Sequence, residues 1–190
     1  MCRYSMATYK PHYAFFKCRK TFKRRHMRDI RRENEDLTEA KCPQCGDLMA
    51  NMGLDFESPK KDDVKDWNHI KDLYSVGVTF HSCGCSGPGY IPKDKDRLTA
   101  YFEEILCDYN RQLLFWRNRT EPTNEKEIHR ENSKHRDYIG KVPYDLRPKK
   151  GSISNEDAKI FWISQIKEVE QKISKLRSTN KKNKALSTDK

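Results

Sequence analysis

The sequence predicts an α+β fold: a small, cysteine-bearing β module at the N-terminus, packed on a helical part that ends in a disordered basic tail. Three observations predict it. Residues 9–23 interleave β-forming aromatics with one cysteine, and a Cys-Pro-x-Cys-Gly turn follows at Cys42. From Ser58 onward, apolar residues recur at helical spacing in three separate stretches. The 190 residues are 35% hydrophobic and 35% charged, against about 25% charged in ordinary domains. So thin a core suits a metal-stapled module with helical extensions better than one large globule.

The elements follow in order. Residues 9–23 (YKPHYAFFKCRKTFK) read as a short hairpin, and residues 24–40, nearly all charged, as a surface helix or a loop. Residues 47–56 can supply a further strand. Ser58-Pro59 should open a helix, with Ser as N-cap and Pro in the first turn. Val64, Trp67, Ile70, Leu73 and Tyr74 form its apolar stripe, and Gly77 ends it. Residues 76–81 read as a strand leading into a turn-rich segment. A long helix is expected from about Asp94 to about Arg119, on Leu98, Tyr101, Phe102, Ile105, Leu106, Tyr109, Leu113 and Trp116. A short helix near 124–138 lies in polar, proline-bearing chain. The last helix should start at the Ser154-x-x-Asp157 box and run to about Leu176 through Ile160, Phe161, Ile163, Ile166, Val169 and Ile173. Trp67, Trp116 and Trp162 each fall on a helical stripe, which makes them packing residues.

The cysteines carry the chemistry. Two thiols in Cys42-Pro-Gln-Cys45-Gly46 can reach one metal ion while backbone amides point at the sulfurs, and Gly46 relieves the backbone after the second ligand. Cys18, 24 residues upstream, stands where a second such knuckle belongs. On these residues the chain resembles zinc-ribbon proteins. It is also similar to a group of uncharacterised bacterial proteins that share Cys2-Arg3-Tyr4, a knuckle ending Cys18-Arg19-Lys20, then Cys42-Pro-Gln-Cys45-Gly46, then His81-Ser-Cys83-Gly-Cys85. The resemblance covers most of the chain and implies one zinc held by Cys18, Cys42 and Cys45, without implying a reaction. A full ribbon would place a cysteine at position 15, where this chain has Phe15. The fourth ligand is then open among Cys83, Cys85, His81 and His12, or else the zinc site is weakened or lost; the plainer reading leaves these cysteines as buried free thiols. The resulting organisation is a zinc-ribbon-like basic module over 1–57, a helix-strand-helix part over 58–119, a linker and C-terminal helix over 120–177, and a disordered tail over 178–190.

His81-x-Cys83-x-Cys85 permits three readings. On an extended strand the three side chains share a face, so they could complete the first site, form a second one, or present a reactive dithiol. The plainer reading is a structural loop with buried thiols. Gly87-Pro88-Gly89 adds a turn whose amides can hold an anion. Cys2 and Cys107 have no partner at ligand spacing, and Cys107 is expected to pack in the long helix.

The charge is unevenly placed. Residues 1–32 hold eleven Lys and Arg against one acid, a net +10, whereas the whole chain carries +11. Aromatics threaded through these cations suit RNA, with rings stacking on bases and cations on phosphates. Tyr13, Lys17, Arg19, Lys20, Lys23, Arg24, Arg25 and Arg28 are the candidate contacts, and RNA or the ribosome is the expected partner. The plainer reading makes the aromatics the core of the module and the bases solvated surface. A protein adaptor working through the helices is the first alternative. A thiol or metal enzyme using His81, Cys83 and Cys85 is the second. A catalytic role is disfavoured: the sequence has no P-loop, no H-E-x-x-H and no nucleophile elbow. The first residues lack the apolar run of a signal peptide, and no stretch reaches the ~18 apolar residues of a membrane span. The expectation is therefore a reducing, cytoplasmic compartment in which the seven cysteines are thiols or metal ligands.

Overall fold

The structure, a computed structural model, describes residues 10–24, 40–81 and 87–185, with side chains of the last helix to residue 178. It divides into two compact units, Met1–Leu98 and Thr99–Lys190. As predicted, the architecture is α+β, with a three-stranded antiparallel sheet near the N-terminus and helices after it.

In the first unit, β1 (His12–Phe15) is the central strand, flanked by β2 (Lys20–Lys23) and β3 (Ala50–Gly53). Tyr13 pairs with Phe22 and Phe15 with Lys20, while Ala14 pairs with both Thr21 and Ala50. Because strand side chains alternate, the sheet has two distinct faces. One presents Ala14, Ala50 and Met52, which bury against Phe56 and against Trp67 and Ile70 of helix α1 (Val64–Ser75). The other gathers Phe15, Ala40, Cys42 and Met49, with Tyr13, Cys18 and Phe22 packed beside them. This second face builds the site.

Helix α1 begins five residues later than Ser58-Pro59 predicts. Asp63 is the N-cap and accepts a hydrogen bond from the Asp66 amide at 3.0 Å. An acidic cap at the positive end of the helix serves better than a hydroxyl, and Ser58 instead donates to the Pro59 carbonyl. Gly77 does follow the helix end, at φ +83°, with its amide on the Tyr74 carbonyl. Residues 76–81 are not a regular strand, but Phe80 lies along β3. Its amide donates to the Met52 carbonyl at 2.8 Å and its carbonyl accepts from the Asp55 amide at 3.1 Å.

That close pass fixes Gly53. Its φ is +97°, and a Cβ there would stand 2.5 Å from the Phe80 carbonyl carbon. Both the backbone conformation and the space require glycine. Gly53→Ala should destabilise the first unit by about 2–4 kcal/mol, the sum of a left-handed backbone penalty and an overpacked contact with main chain. Urea unfolding of the first unit checks this, and an unchanged midpoint would show that the Phe80 segment yields freely.

Helix α2 (Lys95–Asn118) is capped by Asp94, whose carboxylate accepts from the Arg97 amide at 2.8 Å. In the second unit α3 (Glu125–Lys134), α4 (Arg136–Ile139), a 3-10 turn (Tyr144–Leu146) and α5 (Asn155–Ala185) follow. The core joins Leu113 and Trp116 of α2 to Val142, Ile153, and Ala158 and Trp162 of α5. All three tryptophans are buried, as their spacing predicts. Two expectations fail here. Cys107 is exposed rather than packed, because it falls on the solvent side of the stripe formed by Phe102, Leu113 and Trp116. Ile160 is 60% exposed, and Ala158 and Trp162 supply the buried positions instead. Helix α5 also continues to Ala185, past the predicted end near Leu176, since no Gly or Pro interrupts residues 177–185.

Arg119 holds this unit together from a position the periodicity did not single out. It is buried, and its guanidinium donates to the Ile153 carbonyl at 3.1 Å, to Asn155 Oδ1 at 2.9 Å and to Ser152 Oγ at 2.7 Å. It also lies over the Trp116 ring at 5.0 Å. Arg119→Met keeps the stem and removes the donors, leaving buried acceptors unpaired. The expected cost is roughly 2–4 kcal/mol, read as a lower denaturation midpoint of the helical transition.

Candidate metal centre

The site is built by two tight turns. In the second, the Gly46 amide donates to the Cys42 carbonyl and the Cys42 amide to the Asp47 carbonyl, both at 2.8 Å. Gly46 takes φ +78°, so the chain reverses directly after Cys45. The Met49 amide donates to the Ala40 carbonyl at 2.8 Å and closes the base of the loop. In the first turn, between β1 and β2, Phe15 pairs with Lys20, five residues on, just as Cys42 bonds Asp47. Arg19 follows Cys18 at φ +51°, as Gly46 follows Cys45. Position for position, Cys18 matches Cys45 and Phe15 matches Cys42.

The two turns bring three sulfurs together. The Sγ atoms of Cys18, Cys42 and Cys45 all lie within 4.8 Å of one another. The Cys18 thiol donates to Cys45 Sγ at 3.6 Å, well beyond the roughly 2.05 Å of a disulfide. Cys42 is buried, Cys18 half-buried and Cys45 exposed, so the cluster opens toward solvent on one side.

The crowding of the three thiols shifts Cys18 and Cys42 in opposite directions. The Cys18 thiol is pushed up to about 11, first by burial and then by hydrogen bonding to Cys45 and Cys42 and by repulsion from those two groups. At Cys42 burial acts in the raising direction, but the Gln44 and Cys45 amides and the two neighbouring thiols outweigh it and lower the pKa overall. Amides aimed at one sulfur favour its thiolate, while crowding keeps another protonated. A metal ion supplies the charge that lets all three ionise, and binding then releases protons. The cluster can hold a metal ion.

The candidate fourth ligands are placed unequally. His12 and His81 are not part of the three-sulfur cluster. His12 sits on β1 at odd spacing from Phe15, on the opposite face of the sheet, with its ring edge-on to Phe56 at 6.0 Å. Burial, and then the nearby Lys23, lower its pKa. Exposed His81 follows Phe80 at the Gly53 end of β3, whereas the knuckle joins the Ala50 end. Cys83 and Cys85 lie outside the described residues, as does Cys2, so the His81-x-Cys83-x-Cys85 strand acquires no geometry here.

Tyr13, Phe22 and Lys20 share the face of the sulfurs, whereas Lys23 pairs with His12 on the opposite face. Tyr13 and Phe22 stack at 6.0 Å with their planes 24° apart. Lys17, Lys20 and Lys23 are exposed, and Arg19 and Arg24 half-buried. Arg25 and Arg28, like the charged segment expected over 24–40 beyond Arg24, fall outside the described residues. Sequence reading missed that Ala40 and Met49 pack on Cys42. No helix among the described residues is long and apolar enough to cross a membrane. No family model, curated protein or solved structure matches this chain.

Proposed function

We propose that the chain is a zinc-binding protein of the cytoplasm that engages RNA, free or on the ribosome, through the hairpin beside its metal. The observation that carries the reading is the convergence of Cys18, Cys42 and Cys45 on one face of the sheet. Sulfurs held tetrahedrally at about 2.3 Å from zinc stand about 3.8 Å apart, close to the 3.6 Å between Cys18 and Cys45. A borderline-soft ion with no redox chemistry suits three thiols in a reducing compartment. The resemblance to zinc ribbons supports the same metal.

The RNA part rests on what borders the cluster. Lys17 lies in the turn that carries Cys18, Lys20 opposes Phe15, and Tyr13 and Phe22 form a ring pair on the same face. Cations for phosphate beside rings for bases are the elements of single-stranded recognition. The test is purification at low salt followed by nuclease treatment. RNA that co-purifies and is released by nuclease is the expected result. A competing reading, a protein adaptor, rests on Leu114, Tyr144 and Ile160, which are 58%, 87% and 60% exposed in the second unit. A nuclease-insensitive protein partner lost on Leu114→Lys or Ile160→Lys would establish that reading and overturn the RNA one.

A further inference from the structure

We infer that the second unit carries a binding site for a mononucleotide, with the phosphate on Arg111, Arg136 and Lys141 and the base on the amide of Gln112. The site lies wholly within that unit and is separate from the cysteine cluster and the basic hairpin.

Asp108, Arg111 and Gln112 of α2 and the segment from α4 to Lys141 line a cavity of about 560 Å³, a volume that suits a ligand of nucleotide size. Its walls are pinned. Lys141 donates to Asp108 on α2 at 2.8 Å. Arg147 donates to the Gly140 carbonyl at 2.7 Å and to the Val142 carbonyl at 2.6 Å. Tyr138, which also lines the cavity, stacks on Phe115 of α2 with ring centroids 4.2 Å apart. A cavity held in this way is preformed, which spares a ligand part of the cost of ordering its site.

Gln112 marks the place of the base. It lines the cavity, is only 3% exposed, and its carbonyl Oε1 has no hydrogen-bond partner among the described residues. Burying an acceptor without a donor costs stability, and a ligand that brings a donor removes that cost. A glutamine amide offers an acceptor and a donor side by side, the pattern that matches the N6 and N7 edge of adenine.

The charges mark the rest. Three cations, Arg111, Arg136 and Lys141, stand against two carboxylates, Asp108 and Asp137. Asp108 is already engaged, by Lys141 at 2.8 Å and Arg111 at 3.7 Å. The side chains of Arg136 and Asp137 are exposed and make no ion pair or hydrogen bond among the described residues. A free guanidinium suits bidentate contact with a phosphate, and a free carboxylate accepts from ribose hydroxyls. Phosphate, sugar and base each find a group of matching chemistry in one cavity. An inorganic anion would leave Gln112 unpaired, and an apolar ligand would desolvate Arg136 and Asp137.

The test is calorimetric titration of the full-length protein with adenosine monophosphate, ribose 5-phosphate and inorganic phosphate, each alone. Adenosine monophosphate should bind about tenfold more tightly than ribose 5-phosphate, the contribution of one bidentate base contact. Inorganic phosphate should bind most weakly. Arg136→Gln should weaken the nucleotide by about tenfold or more, the worth of a charged hydrogen bond. Gln112→Leu should bring the nucleotide down to the level of ribose 5-phosphate, with an unfolding midpoint unchanged or raised, because it removes an unpaired carbonyl. A glutamine with only a structural role would give the opposite, a lower midpoint with nucleotide binding intact. Arg136→Gln carries the test by itself should Gln112→Leu not fold. The triple variant Lys17→Glu/Lys20→Glu/Lys23→Glu should bind the nucleotide as the parent does, which separates this cavity from the hairpin. The inference fails if the nucleotide does not bind at millimolar concentration, or if either simpler phosphate binds as tightly. It fails equally if the hairpin variant loses the nucleotide, or if Arg136→Gln keeps the parent affinity.

Discussion

Chelating the metal should unfold the first unit while leaving the helical transition of the second. Structural zinc in small finger modules supplies an apparent 10–16 kcal/mol, roughly as much as or more than the ~5–15 kcal/mol that stabilises a typical domain. Among its described residues the first unit offers a sheet of four-residue strands with one helix, α1, packed on the face away from the sulfurs. If even about 3 kcal/mol of that binding energy is expressed, the midpoint of a unit of this size falls by about 12–24 °C. Cys45→Ser is the sharpest single change. Cys45 is exposed, so its thiol contributes little burial, and any large loss must come through the metal. Cys42→Ser is less clean, because a hydroxyl would also be buried against Ala40, Met49 and Phe15. Cys107→Ser, on an exposed thiol of α2, serves as the neutral control. Elemental analysis should find about one zinc per parent chain, the stoichiometry of one structural site. A folded parent with reduced thiols, no metal and no response to chelator would end the metal reading.

The cysteine turn was legible because its chemistry is local. Cys-Pro-x-Cys-Gly fixes two sulfurs and the backbone reversal after them within five residues, and the hairpin around Cys18 announces itself through β-forming aromatics. Long helices were equally legible: α2 begins and ends within a residue of its expected limits, since a period of 3.6 repeated over many turns leaves little ambiguity. Features set by contacts distant in sequence were not. The start of α1 depends on competition between Ser58 and Asp63, and the carboxylate prevails. The 76–81 segment looks like a strand by composition, yet only Phe80 bonds to the chain of β3, because the amides of Val76, Gly77 and Val78 donate back to the end of α1. Arg119 reads as a charged residue at a helix end, where solvent would be the default. Its burial follows from acceptors 33–36 residues away. Alternation along β1 puts His12 with Ala14 and Tyr13 with Phe15, but spacing alone could not say that the sulfurs gather on the Phe15 face; the packing of Cys42 and Cys18 there shows it.

Reversing Lys17, Lys20 and Lys23 to Glu should abolish most RNA affinity while leaving the zinc and the fold in place. These three cations are exposed around the metal hairpin, so their replacement costs little stability. Arg19 and Arg24 are poorer targets despite their charge. Arg19 is half-buried in a left-handed turn next to Cys18, and the half-buried Arg24 is tied through its amide to the Pro11 carbonyl at 3.1 Å. Each lost phosphate contact on a single strand lowers the slope of log affinity against log salt by about 0.7, so three should lower it by about 2. At low salt the affinity should fall by about a hundredfold or more, since each reversal both deletes a contact and repels a phosphate. Tyr13→Leu separates stacking from charge: it should weaken binding by about 1–3 kcal/mol with the salt slope intact, if the ring carries a base. Because Tyr13 also packs on the cluster that contains Cys42, metal content has to be measured on the same sample. Lost zinc would assign the effect to the site, and retained zinc to RNA. A parent protein whose RNA affinity is weak, insensitive to salt and unchanged by the triple reversal would refute the nucleic-acid reading. The lysines would then be solvated charges, and Tyr13 and Phe22 only the wall of the metal site.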